Sequence, residues 1–241
     1  MHIGQVKSDA KASLKNRKLK AAGSILVYLL LASIIPQLIN YFLQISIGKF
    51  PGAIIGLILS IIVTSALLVG NYRYFISFSD RDKDTKLSLL FSGFDSFLKV
   101  IGFRLLLGLI LGVIYAIIFG ICFIIVLKYN TNPAVILILI LIGLIVYIAT
   151  IYVSLRLSFT CIIFAEEKTS GIIYSMKKSF GLSKGYTLKL FLLNLSFIGW
   201  ALLCILIIPI FYVLPYIELS NINFYYKLKE IRENNITLAA E

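Results

Sequence analysis

Five long stretches without a charged residue dominate the chain, and the charged residues cluster between them. The stretches cover Ala21–Gly48, Phe50–Tyr72, Leu105–Leu127, Tyr129–Leu155 and Leu190–Ile217. Each is long enough to cross a hydrocarbon core of ~30 Å, which takes ~20 helical residues. Apolar residues follow one another instead of alternating, which favours membrane helices over the strands of a barrel. The pattern therefore predicts an all-α, polytopic transmembrane helix bundle.

The last stretch allows two interpretations. As a single tilted helix, Leu190–Ile217 would be about 42 Å long, well beyond the hydrocarbon thickness. As two helices it would turn near Pro209, because proline suits the first turn of a helix and disrupts a helix interior. We favour the hairpin, with its break near Ile207–Pro209, which raises the total to about six membrane helices. We predict a single domain, 1–241, in which 1–20 form a basic amphipathic segment and 230–241 form a cytoplasmic tail. The predicted membrane helices cover about 21–47, 53–78, 99–127, 134–164, 186–207 and 209–229.

The distribution of basic residues predicts the sidedness of these helices. The chain of 241 residues carries 23 Lys and Arg and a net charge of +12, although only 14% of its residues are charged. With the hairpin, 21 of the basic residues fall on one side of the membrane and 2 on the other; a single helix would leave 18 and 5. Basic loops stay cytoplasmic, so we expect a multi-pass protein of the cell membrane with both termini in the cytoplasm. The charge thus reports topology, and we expect no nucleic acid partner.

Amphipathic segments precede the first, third and fifth predicted helices. Before the first, Ile3, Val6, Ala10 and Leu14 share one helical face. Such segments suit the membrane interface, with lysines directed toward anionic headgroups. The motifs "KLK", "FLK" and "TLK" then open each outgoing helix, which indicates either a three-fold pseudo-repeat or a coincidence imposed by topology. The candidate headgroup contacts are Lys7, Lys11, Lys15, Lys177, Lys178 and Lys184.

Four of the charged residues that border the apolar stretches are candidates for a polar site within the membrane. Glu218 is the only acidic residue inside a predicted span, and we expect it near mid-membrane, where a lone carboxylate needs a proton or a partner. Arg73, Arg104 and Arg156 fall near the cytoplasmic boundary, with Arg104 the deepest. These four residues are the candidate intramembrane polar site. The alternatives are a hydrogen-bonded structural carboxyl for Glu218 and snorkelling for the arginines.

The sequence predicts neither a metal site nor a cofactor. Cys122, Cys161 and Cys204 all lie in apolar stretches without a metal-ligand spacing, and His2 is the only histidine. Known catalytic and nucleotide-binding motifs are absent from the sequence. We therefore expect a protein that is not an enzyme.

Several short motifs in fixed order resemble one family along essentially the whole chain. They are "LFSGF" (90–94), "SMKKSFGLSKGYTLKLF" (175–191), "LSFIGW" (195–200), "PY" (215–216) and "FY" (224–225). The chain is similar here to an uncharacterised bacterial integral membrane protein family, domain of unknown function 975. The resemblance implies a polytopic membrane protein with a turn inside the last apolar stretch. It implies no activity.

Two functional hypotheses follow, and a third has less support. The leading one is a membrane protein that engages anionic lipid or a membrane partner through its basic amphipathic helices. The alternative is a transporter, or a component of peptide or small-molecule export or resistance, that uses polar residues in the bundle. A membrane-embedded enzyme is the third. A protein partner and homo-oligomerisation both stay open.

Overall fold

The computed structural model describes residues 2–80, 84–129 and 132–240, and over these ranges the chain is helical, without a β-strand. This confirms the all-α prediction. Arg81, Asp82 and Lys83, and two residues of the predicted external turn at 128–133, lie outside the described residues. The helices are α1 (Ile3–Leu14), α2 (Lys18–Leu29), α3 (Ile35–Ile47), α4 (Lys49–Ser79), α5 (Phe97–Tyr129), α6 (Pro133–Leu157), α7 (Thr160–Glu166), α8 (Ile172–Leu182), α9 (Thr187–Leu195), α10 (Ile198–Leu203) and α11 (Ile210–Ala240).

Three shorter elements complete the path of the chain. A π-helical turn at Leu30–Ile34 joins α2 to α3, next to Pro36, whose ring removes one backbone donor from the helix. A 3₁₀-helix at Leu87–Asp95 precedes α5, and another at Cys204–Leu206 follows α10.

Within the described ranges, five helical segments are long and apolar enough to cross a membrane. They are Lys18–Ile47, Lys49–Ser79, Phe97–Lys128, Pro133–Glu166 and Thr187–Leu206. The residues of the predicted sixth membrane helix form part of α11, which is not among these five segments. It also continues to Ala240, beyond the predicted end near 229, and Arg232 Nη2 donates to the Lys184 carbonyl at 2.6 Å.

The last apolar stretch contains two helices. Ile207 adopts φ 62°, a left-handed conformation that a β-branched residue rarely takes, and α11 begins just after Pro209. The chain therefore reverses at 207–209, where the proline predicted a break.

The core lies at one end of the bundle, where α4 packs against α7, α11 and the 3₁₀-helix at Leu87–Asp95. This 3₁₀-helix crosses α4 at backbone contact distance. A Cβ atom on Gly70 would lie 1.8 Å from the Leu90 carbonyl oxygen, and one on Gly93 would lie 2.0 Å from that of Ala66. Two facing glycines are thus what allows the crossing.

We call this the basic end, because α1, the 3₁₀-helix at Leu87–Asp95 and α8 lie there with most of the lysines. The turn at 48–49, together with the end of α5 at Tyr129 and the start of α6 at Pro133, marks the opposite, distal end. Toward the distal end α5 and α6 contact little, and most of their apolar side chains are exposed. Exposed apolar surface of this extent fits contact with acyl chains.

The three short basic motifs open three of the five segments that are long enough to cross a membrane. α2 begins at Lys18, α5 at Phe97 and α9 at Thr187. Two residues before α2 and α9, Asn16 and Gly185 both adopt positive φ, 65° and 82°. The first and third units therefore share a turn geometry as well as a motif, which favours the pseudo-repeat.

Candidate functional site

Arg73 is buried and ties three elements together. Its Nε donates to the Ala165 carbonyl at 3.2 Å, its Nη1 to Asp95 Oδ1 at 2.8 Å and to the Ser92 carbonyl, and its Nη2 to Ser96 Oγ at 3.3 Å. The guanidinium is therefore occupied by protein acceptors on α7 and around the 3₁₀-helix.

Arg156 has a similar role between α6 and α8. Its Nη2 donates to the Phe180 carbonyl at 2.5 Å, its Nη1 donates to Tyr152 Oη at 3.1 Å, and its Cζ lies 3.5 Å from the Phe180 ring centroid. In the opposite direction, Ser179 Oγ donates to the Arg156 carbonyl at 2.8 Å. The side chain is buried, and a cation stacked on a ring and bonded to a carbonyl is a stable arrangement there.

A third arginine, Arg17, repeats the pattern. It donates to the Phe78 carbonyl at 3.1 Å and stacks on the Phe78 ring. Each of the three guanidinium groups thus bonds a carbonyl in the last turn of another helix: α4, α7 or α8. Those carbonyls lack intrahelical donors and carry the negative end of the helix dipole.

Two members of the candidate intramembrane polar site, Arg73 and Arg156, are therefore buried and hold helices together. Arg104 differs, because it is exposed, with Nη1 3.5 Å from Ser65 Oγ. It lines a groove of about 450 Å³ whose other lining residues, on α4 and α5, are apolar.

Glu218 is partly buried and faces α4. Asn71 Nδ2 donates to Glu218 Oε1 at 3.4 Å, and Asn71 itself is 1% exposed, with its Oδ1 unpartnered. Tyr28, Tyr72 and Cys161 lie within electrostatic reach of the carboxylate, and Arg104 acts on Tyr28 and Cys161 as well. The fold therefore places Glu218 and the exposed Arg104 near two common neighbours, Tyr28 and Cys161.

The depth expected for Glu218 needs correction. Its partner Asn71 lies 23 residues along α4 from Gly48, the distal turn, which is ~34 Å of helix. The carboxyl therefore lies about three quarters of the way along α4 from the distal turn, eight residues short of Ser79, and not halfway. A mid-membrane depth follows only if the turn near Pro209 lies level with the distal turns.

The six candidate lysines divide into two groups. Lys7 Nζ donates to Ser196 Oγ at 2.8 Å and lies 4.4 Å from the Phe197 ring centroid; burial and the neighbouring Lys11 lower the pKa of Lys7. Lys178 forms an ion pair with Glu167. The other four side chains are exposed: Lys11, Lys15, Lys177 and Lys184.

The amphipathic segments also divide. The apolar stripe of α1, including Val6, Ala10 and Leu14, is buried within the protein, largely against α11, and Lys227 Nζ lies 2.5 Å from Asp9 Oδ2. By contrast, the 3₁₀-helix and α8 keep large apolar side chains exposed beside their lysines. The exposed apolar side chains around the basic end are Leu19, Leu87, Phe91, Phe94, Leu98, Ile173, Tyr174 and Leu188. We call these eight the apolar belt.

An ionic cluster at the end of α7 escaped the sequence argument. Glu166 accepts from Tyr225 Oη at 2.5 Å and from Lys229 Nζ at 2.7 Å, and Lys168 Nζ lies 3.3 Å from Asp95 Oδ2. The cluster borders an open cavity of about 600 Å³, lined also by Arg73 and Tyr226. In the sequence, the signal for this cluster was the adjacent acidic pair at 166–167, which follows a long apolar stretch. Asn71, the partner of Glu218, was also missed, and its signal was a single amide in an apolar stretch.

The motif residues of the last two helices meet in one aromatic cluster. The ring centroids of Phe197 and Tyr216 lie 5.2 Å apart, and those of Trp200 and Tyr216 lie 6.0 Å apart. Farther along α11, the Phe224 ring stacks on the Phe159 ring with centroids 6.1 Å apart.

A family profile described as "Protein of unknown function (DUF975)" matches residues 1–232. The chain belongs to the DUF975 family.

The DUF975 match extends from α1 into α11, so it includes every candidate site residue described above. No curated protein and no solved structure matches this DUF975 chain. Its function must therefore be argued from its own side chains.

Proposed function

We propose that this DUF975 protein is a multi-pass membrane protein that binds anionic phospholipid at its basic end and catalyses no reaction. The observation that carries the proposal is the apolar belt, several of whose members lie beside exposed lysines. Leu19 lies between Lys18 and Lys20, Leu87 follows Lys86, and Ile173 and Tyr174 share α8 with Lys177. Apolar groups of this kind enter the acyl boundary while the amines remain at the headgroups.

The charge distribution supports a cytoplasmic position for the basic end. The leaflet on that side is rich in anionic lipid, and each lysine near its surface contributes about 1 kcal/mol of attraction. Enclosure of Arg73 and Arg156 leaves the exposed lysines as the principal groups for headgroup phosphates.

Lipid binding to the purified full-length protein tests the proposal. Native mass spectrometry in detergent, with phosphatidylglycerol or phosphatidylcholine titrated in turn, gives the preference for the anionic lipid. We expect tighter binding of phosphatidylglycerol by the wild type. The double variant Lys177→Gln/Lys184→Gln should lose roughly tenfold or more of this preference, at about 1 kcal/mol per lysine.

The matched control removes two lysines from the distal end, Lys49→Gln/Lys128→Gln, and should keep the wild-type preference. Equal affinity of the wild type for both lipids, or equal losses in the two double variants, would contradict the proposal.

The Glu218–Asn71 contact favours a second candidate function, transport of a small molecule coupled to a proton or a monovalent cation. A carboxyl beside a buried amide oxygen without a donor supplies acceptors for such a cation. Vesicles that contain the purified protein and a trapped pH dye report proton movement after a potassium gradient is imposed.

Proton movement above that of protein-free vesicles is the expected result, and Glu218→Gln should abolish it. Glu233→Gln, an exposed carboxyl on the same helix, should not change it. Full activity in Glu218→Gln, or no movement in the wild type, would reject this second candidate and leave the lipid proposal untouched.

A further inference from the structure

The hairpin made by α10 and the start of α11 is apolar at its tip. From Ala201 to Phe211 no side chain is charged or carries an amide or hydroxyl group. Apart from Cys204, the side chains from Leu202 to Ile208 are 46–81% exposed. The two distal turns differ, since each carries a lysine, Lys49 or Lys128.

The backbone of this tip bonds to itself. The N–H groups of Ile207 and Ile208 donate to the carbonyls of Cys204 and Leu206 at 3.0 and 2.6 Å. Those of Ile210 and Phe211 donate to the carbonyls of Ile207 and Ile208 at 3.0 and 3.4 Å, and Pro209 has no N–H. Because these donors are satisfied within the turn, it loses fewer hydrogen bonds to water when it enters hydrocarbon.

Lysines of α1 and α2 fix how far the tip extends. Lys7 Nζ lies beside Ser196 and Phe197, and Lys11 Nζ lies 5.7 Å from the Tyr216 ring centroid. Ammonium groups lie at the headgroups and not in the acyl region. Lys18 Nζ, at the start of α2, lies 5.8 Å from the Tyr212 ring centroid, so the ammonium groups reach along α11 as far as Tyr212. From Tyr212 to Ile207 are five residues, or about 8 Å at helical rise, roughly a quarter of a hydrocarbon core of ~30 Å.

A contact on the other side of α11 also places the tip short of the distal turn. Glu218 meets Asn71, ~34 Å along α4 from the distal turn, while Ile207 lies 11 residues, or ~16 Å, from Glu218. The tip therefore ends roughly 18 Å short of the level of Gly48. The other arm of the hairpin is interrupted at Ser196–Phe197, between α9 and α10.

We infer that the α10–α11 hairpin is a re-entrant wedge, which enters the leaflet at the basic end, contacts its acyl chains with the Leu202–Ile210 tip and returns without crossing the membrane. Four segments then cross fully: Lys18–Ile47, Lys49–Ser79, Phe97–Lys128 and Pro133–Glu166. The even number keeps both ends of the chain on one side. The partner of the tip is the hydrocarbon of one leaflet, whatever headgroups that leaflet carries.

Site-directed labelling tests the wedge in the full-length protein. Cys122, Cys161 and Cys204 are first replaced by alanine, and single cysteines are then introduced as Ile207→Cys, Ile208→Cys, Lys49→Cys and Lys177→Cys. A membrane-impermeant maleimide is added to vesicles of each orientation. We expect labelling of position 49 from one side only, of position 177 from the other side only, and of positions 207 and 208 from neither.

A spin label at position 208 provides an independent depth. Introduced before reconstitution, it should be relaxed by oxygen and not by a water-soluble nickel chelate, as expected for the acyl region. Tip positions labelled from the same side as position 49 would show a full crossing and overturn the inference. Tip labelling from the side of position 177, or relaxation of the spin label by nickel, would show a tip outside the hydrocarbon and overturn it as well.

Discussion

At the residue scale, the charged side chains near the apolar stretches mostly join helices. Arg17, Arg73 and Arg156 each bond a carbonyl in the last turn of a neighbouring helix. Their identity as arginine matters, because a planar fork can reach several acceptors at once and a lysine cannot. The sequence indicates that these residues lie near the membrane boundary, but the acceptors come from distant parts of the chain.

Gly93 gives the sharpest test at this scale. Gly93→Ala places a methyl group against the Ala66 carbonyl, so we expect the free energy of unfolding to fall by roughly 1–3 kcal/mol or more. Thermal melting in one detergent measures it. Gly108→Ala is the control, since a Cβ there meets nothing within 4 Å and alanine favours the helix by about 1 kcal/mol. Equal melting temperatures for the two variants would refute the close crossing.

Asp95 makes one part of the basic end sensitive to acid. Its partial burial raises the pKa of its carboxyl, but the bonds from Arg73 and Ser96 and the neighbouring Lys168 outweigh this, and the pKa lies below its ordinary value of 3.8. A depressed carboxyl pKa stabilises the fold above the pKa of the unfolded chain, and this stability is lost as pH falls through the folded value.

Wild-type melting temperature should therefore drop below about pH 4, beyond the general effect of acid. Asp95→Asn should lower it at pH 7 and show a smaller further drop on acidification. The control variant is Glu233→Asn, which replaces an exposed carboxyl on α11. Parallel pH profiles for Asp95→Asn and the wild type would contradict the assignment.

At the element scale, amphipathic segments with similar sequence patterns have different neighbours. The periodicity of α1 and of α8 is alike, yet α1 buries its apolar stripe within the protein, while α8 leaves Ile173 and Tyr174 exposed. Periodicity marks an apolar face but not its partner, because lipid and a second helix are equally apolar. The break in the last stretch was foreseeable, since Pro209 acts locally.

Two leucines close in sequence test the docking of α1. Leu14 is 1% exposed in the core, whereas Leu19, at the start of α2, is 90% exposed. Leu14→Ala should lower the free energy of unfolding by about 2–5 kcal/mol and Leu19→Ala by less than about 0.5 kcal/mol in detergent. Thermal melting in the same detergent compares the pair. A larger loss for Leu19→Ala would show that α1 does not pack as described.

At the scale of the whole molecule, the packed core and the charges share one end. The apolar side chains toward the distal end of α5 and α6 are mostly exposed, while the largest fully buried aromatic side chains, such as Tyr74, Phe75 and Tyr225, belong to α4, α7 and α11 or their junctions. This asymmetry suits a protein with a basic end that acts at a membrane surface and a distal end that is surrounded by acyl chains.

Reporter fusions check the sidedness. Two reporters that are active only in the cytoplasm, one joined before Met1 and one after Glu241, should both be active, because the charges place 21 basic residues on one side. A reporter inserted between Gly48 and Lys49 should be inactive. Activity at the distal turn, or opposite behaviour of the two ends, would contradict this topology.

The sequence by itself determined the class of protein, the starts of the long helices, the position of the turn near Pro209 and the asymmetry of charge. All of these follow from local composition or from short-range backbone chemistry. Only the tertiary structure decided that Arg73 and Arg156 are enclosed, that α1 packs against α11, and that Glu218 lies level with Asn71. Each of these depends on the axial offset between helices distant in sequence, and that offset is set by close packing, such as the Gly70–Gly93 crossing, which no periodicity encodes.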